Sequence, residues 1–161
     1  MTEKYILPVD FKIISGGQTG ADQAGLEWAI HHGAAHGGWC PKGRRSEDGL
    51  ISLGYGLVET PKANYLERTE WNVRDANATA IFTLQQTLDG GSRRTADFAA
   101  RHAKLWIHMR TGVHPRYLAH FLLKHGVKTL NVAGKRESAQ PGTHEFVMKV
   151  LDEALHATNV G

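Results

Sequence analysis

Cysteine is almost missing from this chain: Cys40 is the one example in 161 residues. No internal disulfide can form, and nothing suggests an oxidising compartment. Long apolar runs are missing as well. No segment approaches membrane-spanning length, and the opening MTEKYILPVD lacks the apolar stretch of a secretory signal. The expectation is a cytoplasmic protein with no membrane partner. Long runs of one charge do not occur either. The formal charge is +3 with the 10 histidines neutral, and the pI is near 9.1. Such a mild, scattered basic balance suits an anionic small molecule and makes nucleic acid an unlikely partner. Neither GxGxxG nor GxxxxGK[ST] occurs, which disfavours an NAD dehydrogenase and a P-loop ATPase. His31, His32, His36 and Cys40 cluster in sequence, but without HExxH, HxxEH or CxxC spacing. Neighbouring histidines on one helix point to different faces, so no dedicated metal site is expected and Cys40 reads as a small packed residue.

What the chain does have is glycine: 18 residues, well above the usual share of about 7%. They fall in short clusters between apolar segments. FKIIS at 11–15 predicts a first strand, followed by a helix over about 21–32. A second strand is predicted at 34–39, irregular chain at 50–61 and a polar helix at 63–75. TAIFTL at 79–84 predicts the third strand, with a short helix over 95–102 behind it. KLWIHM at 104–109 predicts the fourth, and a helix over 115–125 stops at Gly126. KTLNV at 128–132 predicts the fifth, and a helix over about 144–157 carries an apolar stripe. Short apolar runs alternating with helices imply βαβ units. The expected fold is α/β, a Rossmann-like, doubly wound, mainly parallel sheet of about five or more strands flanked by helices. No repeat or linker divides 1–161, which reads as a single domain.

In such a sheet, ligands bind beyond the carboxyl ends of the strands, where loops enter helix N-termini. Three predicted strand ends carry glycine loops. The first holds Gly16, Gly17, Gln18, Thr19, Gly20 and Asp22. The second holds Gly90, Gly91, Ser92 and Thr95. The third holds Gly134, Arg136, Glu137 and Ser138 and runs on to Thr143. Glycine allows close approach to backbone amides, and helix starts offer free N–H groups with partial positive charge, so these residues are expected to hold phosphate. Arg136 is suited to fork a phosphate. Lys42 and Arg44 belong to the densest basic segment, Lys42-Gly43-Arg44-Arg45, next to Glu47 and Asp48, and are added as candidates. Thr19 and Asp22 also have the spacing of a helix-capping box, with Asp in place of Glu. Arg68, Asn72 and Asp75 share a face of the polar helix, with Tyr65 beside it.

The runs IISGGQTGADQAGLEWAI, GGWCPKGRRSEDG, ETPKANYLERTEWNVRDAN and LNVAGKRES…PGT resemble the family described as molybdenum carriers, a circularly permuted YpsA-like branch of the SLOG superfamily. The resemblance runs from about residue 12 to residue 143. It implies a Rossmann-like fold related to the LOG phosphoribohydrolases and to nucleotide-sensing SLOG domains. It also implies one pocket around Gly16, Gly17, Thr19, Gly20, Asp22, Gly134, Arg136, Glu137 and Ser138, with Arg68, Thr69 and Asn72 as its wall. The hydrolases carry PGGxGTxxE, whereas this chain has GGQTGAD and a bare PGTHE.

The leading expectation is a binding or carrier protein for a phosphorylated, nucleotide-like small molecule, the molybdenum cofactor among them. Two alternatives stay open. One is a phosphoribohydrolase-like nucleotide N-glycosidase with Asp22 as its catalytic carboxylate; the other is a nucleotide-sensing module. Beyond an anionic small molecule, a homo-oligomer is compatible with the sequence.

Overall fold

Five strands form one wholly parallel sheet: β1 (Lys12–Ile14), β2 (Ala35–Gly37), β3 (Ala78–Thr83), β4 (Leu105–Arg110) and β5 (Thr129–Gly134), in the order β2-β1-β5-β3-β4. The computed structural model describes residues 3–157. Register is fixed by pairs such as Ile13 with Leu130, Leu130 with Ala78 and Ala78 with Leu105. All six residues of β3 are buried, as a near-central parallel strand covered on both faces requires.

The helices are α1 (Ala21–His31), α2 (Tyr65–Asp75), α3 (Gly90–Arg101), α4 (Arg116–His125) and α5 (Thr143–Ala154). Parallel crossovers are right-handed almost without exception. The β1–α1–β2 step and the β3–α3–β4 step run toward opposite edges, so α1 and α3 cover opposite faces. Accordingly α1, α4 and α5 pack as one layer while α2 packs with α3 in the other. Trp28 is fully buried within the first layer, and its Nε1 donates to Asp152 Oδ1 at 2.7 Å, which ties α1 to α5. The chain changes direction between β1 and β3, with β5 inserted between them. A crevice therefore opens beyond the carboxyl ends of these three strands.

The expected α/β architecture is present, with local differences. The segment 34–39 does not form one strand. After Gly37 the backbone leaves the sheet, and Trp39–Cys40 pairs instead with Val58–Glu59 inside the stretch expected to be irregular. Helix α3 begins at Gly90, five residues before the expected Thr95, because Asp89 can sit at its N-cap and Ser92 can bond back to the Asp89 carbonyl at 2.7 Å. Helix α5 stops at Ala154, and Leu155–His156 pairs in parallel with Tyr5–Ile6. Among the described residues, no helix is long and apolar enough to cross a membrane.

Gly20 fixes how the first and third glycine loops meet. It has φ +77°, and a Cβ there would lie 2.3 Å from the Lys135 carbonyl oxygen, the same oxygen that accepts the Ala21 N–H at 3.1 Å. A left-handed backbone costs an L-residue roughly 1–2 kcal/mol, and a forced clash adds about 1–3 kcal/mol. Gly20→Ala is therefore expected to lose more stability in urea unfolding than Gly43→Ala, whose Cβ would meet nothing within 4 Å at φ +90°. Equal losses would mean that the two loops do not touch as described.

Candidate functional site

The crevice is a cleft of about 430 Å³. Its floor is the carboxyl end of β5, where Asn131 and Ala133 alternate with the residues that pack beneath. One wall comes from α2, through Tyr65, Leu66, Arg68, Thr69 and Asn72. The start of α3 supplies Gly91, Ser92, Arg94 and Thr95. The first loop supplies Gly16, Gln18 and Asp22, and the third supplies Gly134, Lys135, Arg136 and Ala139.

The cleft contains a buried ion pair. Asp22 is only 3% exposed and accepts from Arg68 Nη1 at 3.0 Å and from the Gln18 amide at 3.2 Å. Burial pushes its carboxyl above the ordinary carboxylate value, against the opposing pull of Arg68 and the Gln18 amide. The same burial pushes the Arg68 guanidinium down, with Asp22 working to hold it charged. Arg68 reaches Asp22 by lying across Gly16, where a Cβ would fall 2.2 Å from Nη1. Among the described residues, two buried side-chain polar atoms lack a hydrogen-bond partner, Arg68 Nε and Gln18 Oε1, and both side chains line this cleft.

The remaining charges decide its electrostatics. Lys135 is paired with Asp89. Arg94 and Arg136 line the cleft, and neither has a carboxylate within ion-pair distance among the described residues. The Arg136 guanidinium lies 4.7 Å from the centroid of the Tyr65 ring and that of Arg68 5.8 Å. The cleft thus presents two cations without an ion-pair partner among the described residues, one of them on an aromatic face.

Of the residues expected from sequence, Gly16, Gln18, Asp22, Arg68, Thr69, Asn72, Gly91, Ser92, Thr95, Gly134 and Arg136 line the cleft. The others lie outside it, and most have an evident reason. Gly17 turns toward Ile51 and Leu57, where a Cβ would be 2.6 Å from Leu57 Cδ1. Thr19 and Asp22 form no capping box: Gly20 is the α1 N-cap and Asp22 faces Arg68. The Thr19 hydroxyl instead donates to Glu47 and accepts the Glu137 N–H at 3.2 Å. Glu137 caps α5, accepting from the Gly142 amide at 2.6 Å and the His144 amide at 2.9 Å. Ser138 is held by Glu47. The Thr143 hydroxyl donates to the Gln140 carbonyl at 2.6 Å. Arg44 spends its guanidinium on the carbonyls of Ile51, Ser52 and Leu57, a loop-folding role. Gly20 packs between the two loops. Gly90 opens α3 facing nothing within 4 Å. The Lys42 amide bonds the Lys62 carbonyl at 3.2 Å, away from the cleft.

Leu66 and Asn131 were not expected, and Arg94 and Lys135 stand within the second and third glycine loops without being named as site residues. A helix beginning at Gly90 places Gly91, Arg94 and Thr95 on one face at i, i+3 and i+4, so Arg94 follows from the earlier helix start. Asn131 was signalled by its position as a polar residue inside the apolar run KTLNV.

Breaking a buried pair leaves one charge without compensation, typically at a cost of about 3–5 kcal/mol. Asp22→Asn and Arg68→Met are each expected to lose that much in urea unfolding, and the double variant less than the sum; losses below about 1 kcal/mol would contradict the pair. A pH effect follows from Glu47. Hydrogen bonds from the Ser138 and Thr19 hydroxyls hold its carboxyl below the ordinary value. Its contribution to stability is therefore complete above the unfolded value, about 4.3, and fades as pH falls through the lower folded value. Glu47→Gln should flatten the acid side of the stability curve, and an unchanged slope would show that the contact adds nothing.

Comparison with known proteins assigns the fold to a family. The family model for the circularly permutated YpsA SLOG family matches residues 13–155. A crystal structure of a putative molybdenum carrier protein from Syntrophus aciditrophicus SB superposes with a TM-score of 0.84 at 39% identity, covering 90% of this chain and 94% of that one. No curated protein matches. The chain belongs to the circularly permuted YpsA branch of the SLOG family.

Proposed function

We propose that the cleft binds a phosphorylated, nucleotide-like small molecule, with the phosphate on Arg94 and Arg136 and a ring system beside Tyr65. The observation that carries this reading is the pair of arginines without carboxylates facing one cleft at the sheet's change of direction. Two cations without ion-pair partners in one concave site give it a positive potential that an anionic ligand would neutralise. Hydrogen bonds to charged groups contribute about 1.5–3 kcal/mol each. Tyr65 offers an aromatic surface at the same place.

The molybdenum cofactor is one ligand of this class, suggested by the name of the related carrier structure. The residues present fit its phosphate: Arg94 and Arg136 would hold it at the mouth. Among the described residues, no group of three His, Cys, Asp or Glu side chains is arranged to hold a metal ion. The protein would therefore grip such a cofactor by its pterin phosphate. Cargo of this kind requires tight binding and release, not bond cleavage. Asp22, the carboxylate a glycosidase would use against the positive charge that develops on a sugar, is committed to Arg68 and the Gln18 amide. We infer binding with negligible turnover.

Nucleoside monophosphates should raise the melting temperature while their nucleosides do not. At 100 times its dissociation constant, a ligand adds about 2.7 kcal/mol. Arg94→Ala and Arg136→Ala should each weaken monophosphate binding in calorimetry by about 1.5–3 kcal/mol. Equal shifts for nucleotide and nucleoside would remove the phosphate from the account. On prolonged incubation with bound nucleotides, chromatography should detect no free base. Release that vanished in Asp22→Asn while binding survived would instead establish the glycosidase.

A further inference from the structure

Glu47 sits at the tip of a small hairpin, Arg45–Ser46 paired antiparallel with Gly49–Leu50, and is itself exposed. Its carboxylate nonetheless gathers three donors from two distant loops. These are the Thr19 hydroxyl, the Ser138 amide at 3.2 Å and the Ser138 hydroxyl. Thr19 and Ser138 belong to the first and third glycine loops, yet neither faces the cleft. Arg136 adds a favourable field at Glu47, as it does at Asp22. A backbone amide, two hydroxyls and a nearby guanidinium are the elements of an oxyanion site, and here a side chain of the protein fills it.

We propose that Thr19 and Ser138 form a second anion site on the outer side of the two glycine loops, closed in the free protein by Glu47 acting as a built-in anion. Its ligand class is a phosphate-type oxyanion. When such an anion takes the three donors, the Glu47 carboxylate is displaced, and the 45–50 hairpin keeps its bond from Gln18 Nε2 to the Arg45 carbonyl at 3.0 Å while losing its tie to the third loop. Arg136 would then stand between an anion in the cleft and one outside it. The site is separate from the proposed cleft function, and either can fail without the other.

The test is titration of isotopically labelled protein with inorganic phosphate, followed by the Ser138 amide resonance, with the Gly91 and Ser92 amides reporting the cleft. In the wild type, Ser138 should respond only at high phosphate concentration. In Glu47→Ala, the Ser138 shift should saturate at least tenfold lower, and Thr19→Val in that background should reverse much of the gain. Glu47→Gln, which keeps an acceptor and loses the charge, should fall between them and serves if the alanine variant is too unstable to study. A purely structural clamp predicts a loss of stability without a new phosphate response. A folded Glu47→Ala protein, or a folded Glu47→Gln protein in its place, whose Ser138 amide responds no better than the wild type overturns the proposal. With a nucleoside diphosphate, one shared midpoint for Ser138 and Gly91 would identify the ligand's second phosphate as the occupant. Movement of Ser138 with inorganic phosphate alone would identify free phosphate.

Discussion

Much of the site follows from the need to compensate one buried carboxylate. Asp22 lies in the first turn of α1, buried against Arg68 of α2. A carboxylate in that position requires a cation with good geometry. Arg68 supplies it from α2, and its path across Gly16 leaves no room for a Cβ. That contact draws the polar helix against the first loop. Asn72, one turn further on, then binds both the amide and the carbonyl of Trp39 at 2.9 Å, so the same helix face also anchors the chain where it leaves the sheet. The cleft wall and the departure of the chain after β2 are thus two results of one docking.

A second regularity concerns where positive potential is left over. Helix starts and glycine loops at the crevice offer many donors, but the protein's own carboxylates take several of them. Glu137 takes the start of α5, Glu47 takes Thr19 and Ser138, and Asp89 takes Lys135. Among the cations lining the cleft, what remains is Arg94 and Arg136. Glycine loops therefore mark the right end of the sheet without identifying the groups left free for a ligand, because that depends on which long side chains fold back onto them.

This distinction also explains how much was legible in the sequence. The sheet class and the glycine loops at its strand ends follow from local apolar runs and turn chemistry, and the structure has them; of the six first-loop residues expected at the site, Gly16, Gln18 and Asp22 line the cleft. Arg68 and Asn72 were legible because helical periodicity puts them on one face, and the family resemblance pointed them inward. Arg44 misled, since a basic loop looks the same whether its arginine meets solvent, a ligand or three carbonyls of its own chain. In sequence, Glu47 is only an acidic neighbour of the basic segment 42–45. Its actual partners lie 28 and 91 residues away, a separation that no local pattern encodes. The pairing of Tyr5–Ile6 with Leu155–His156 escaped for the same reason.

The most direct test of the central claim is a crystal structure of the protein with a bound nucleoside monophosphate. The account predicts the phosphate within hydrogen-bonding distance of the Arg94 and Arg136 guanidinium groups, with the ligand ring beside Tyr65 and the Asp22–Arg68 pair intact. A phosphate bound elsewhere with both arginines left unengaged would contradict it.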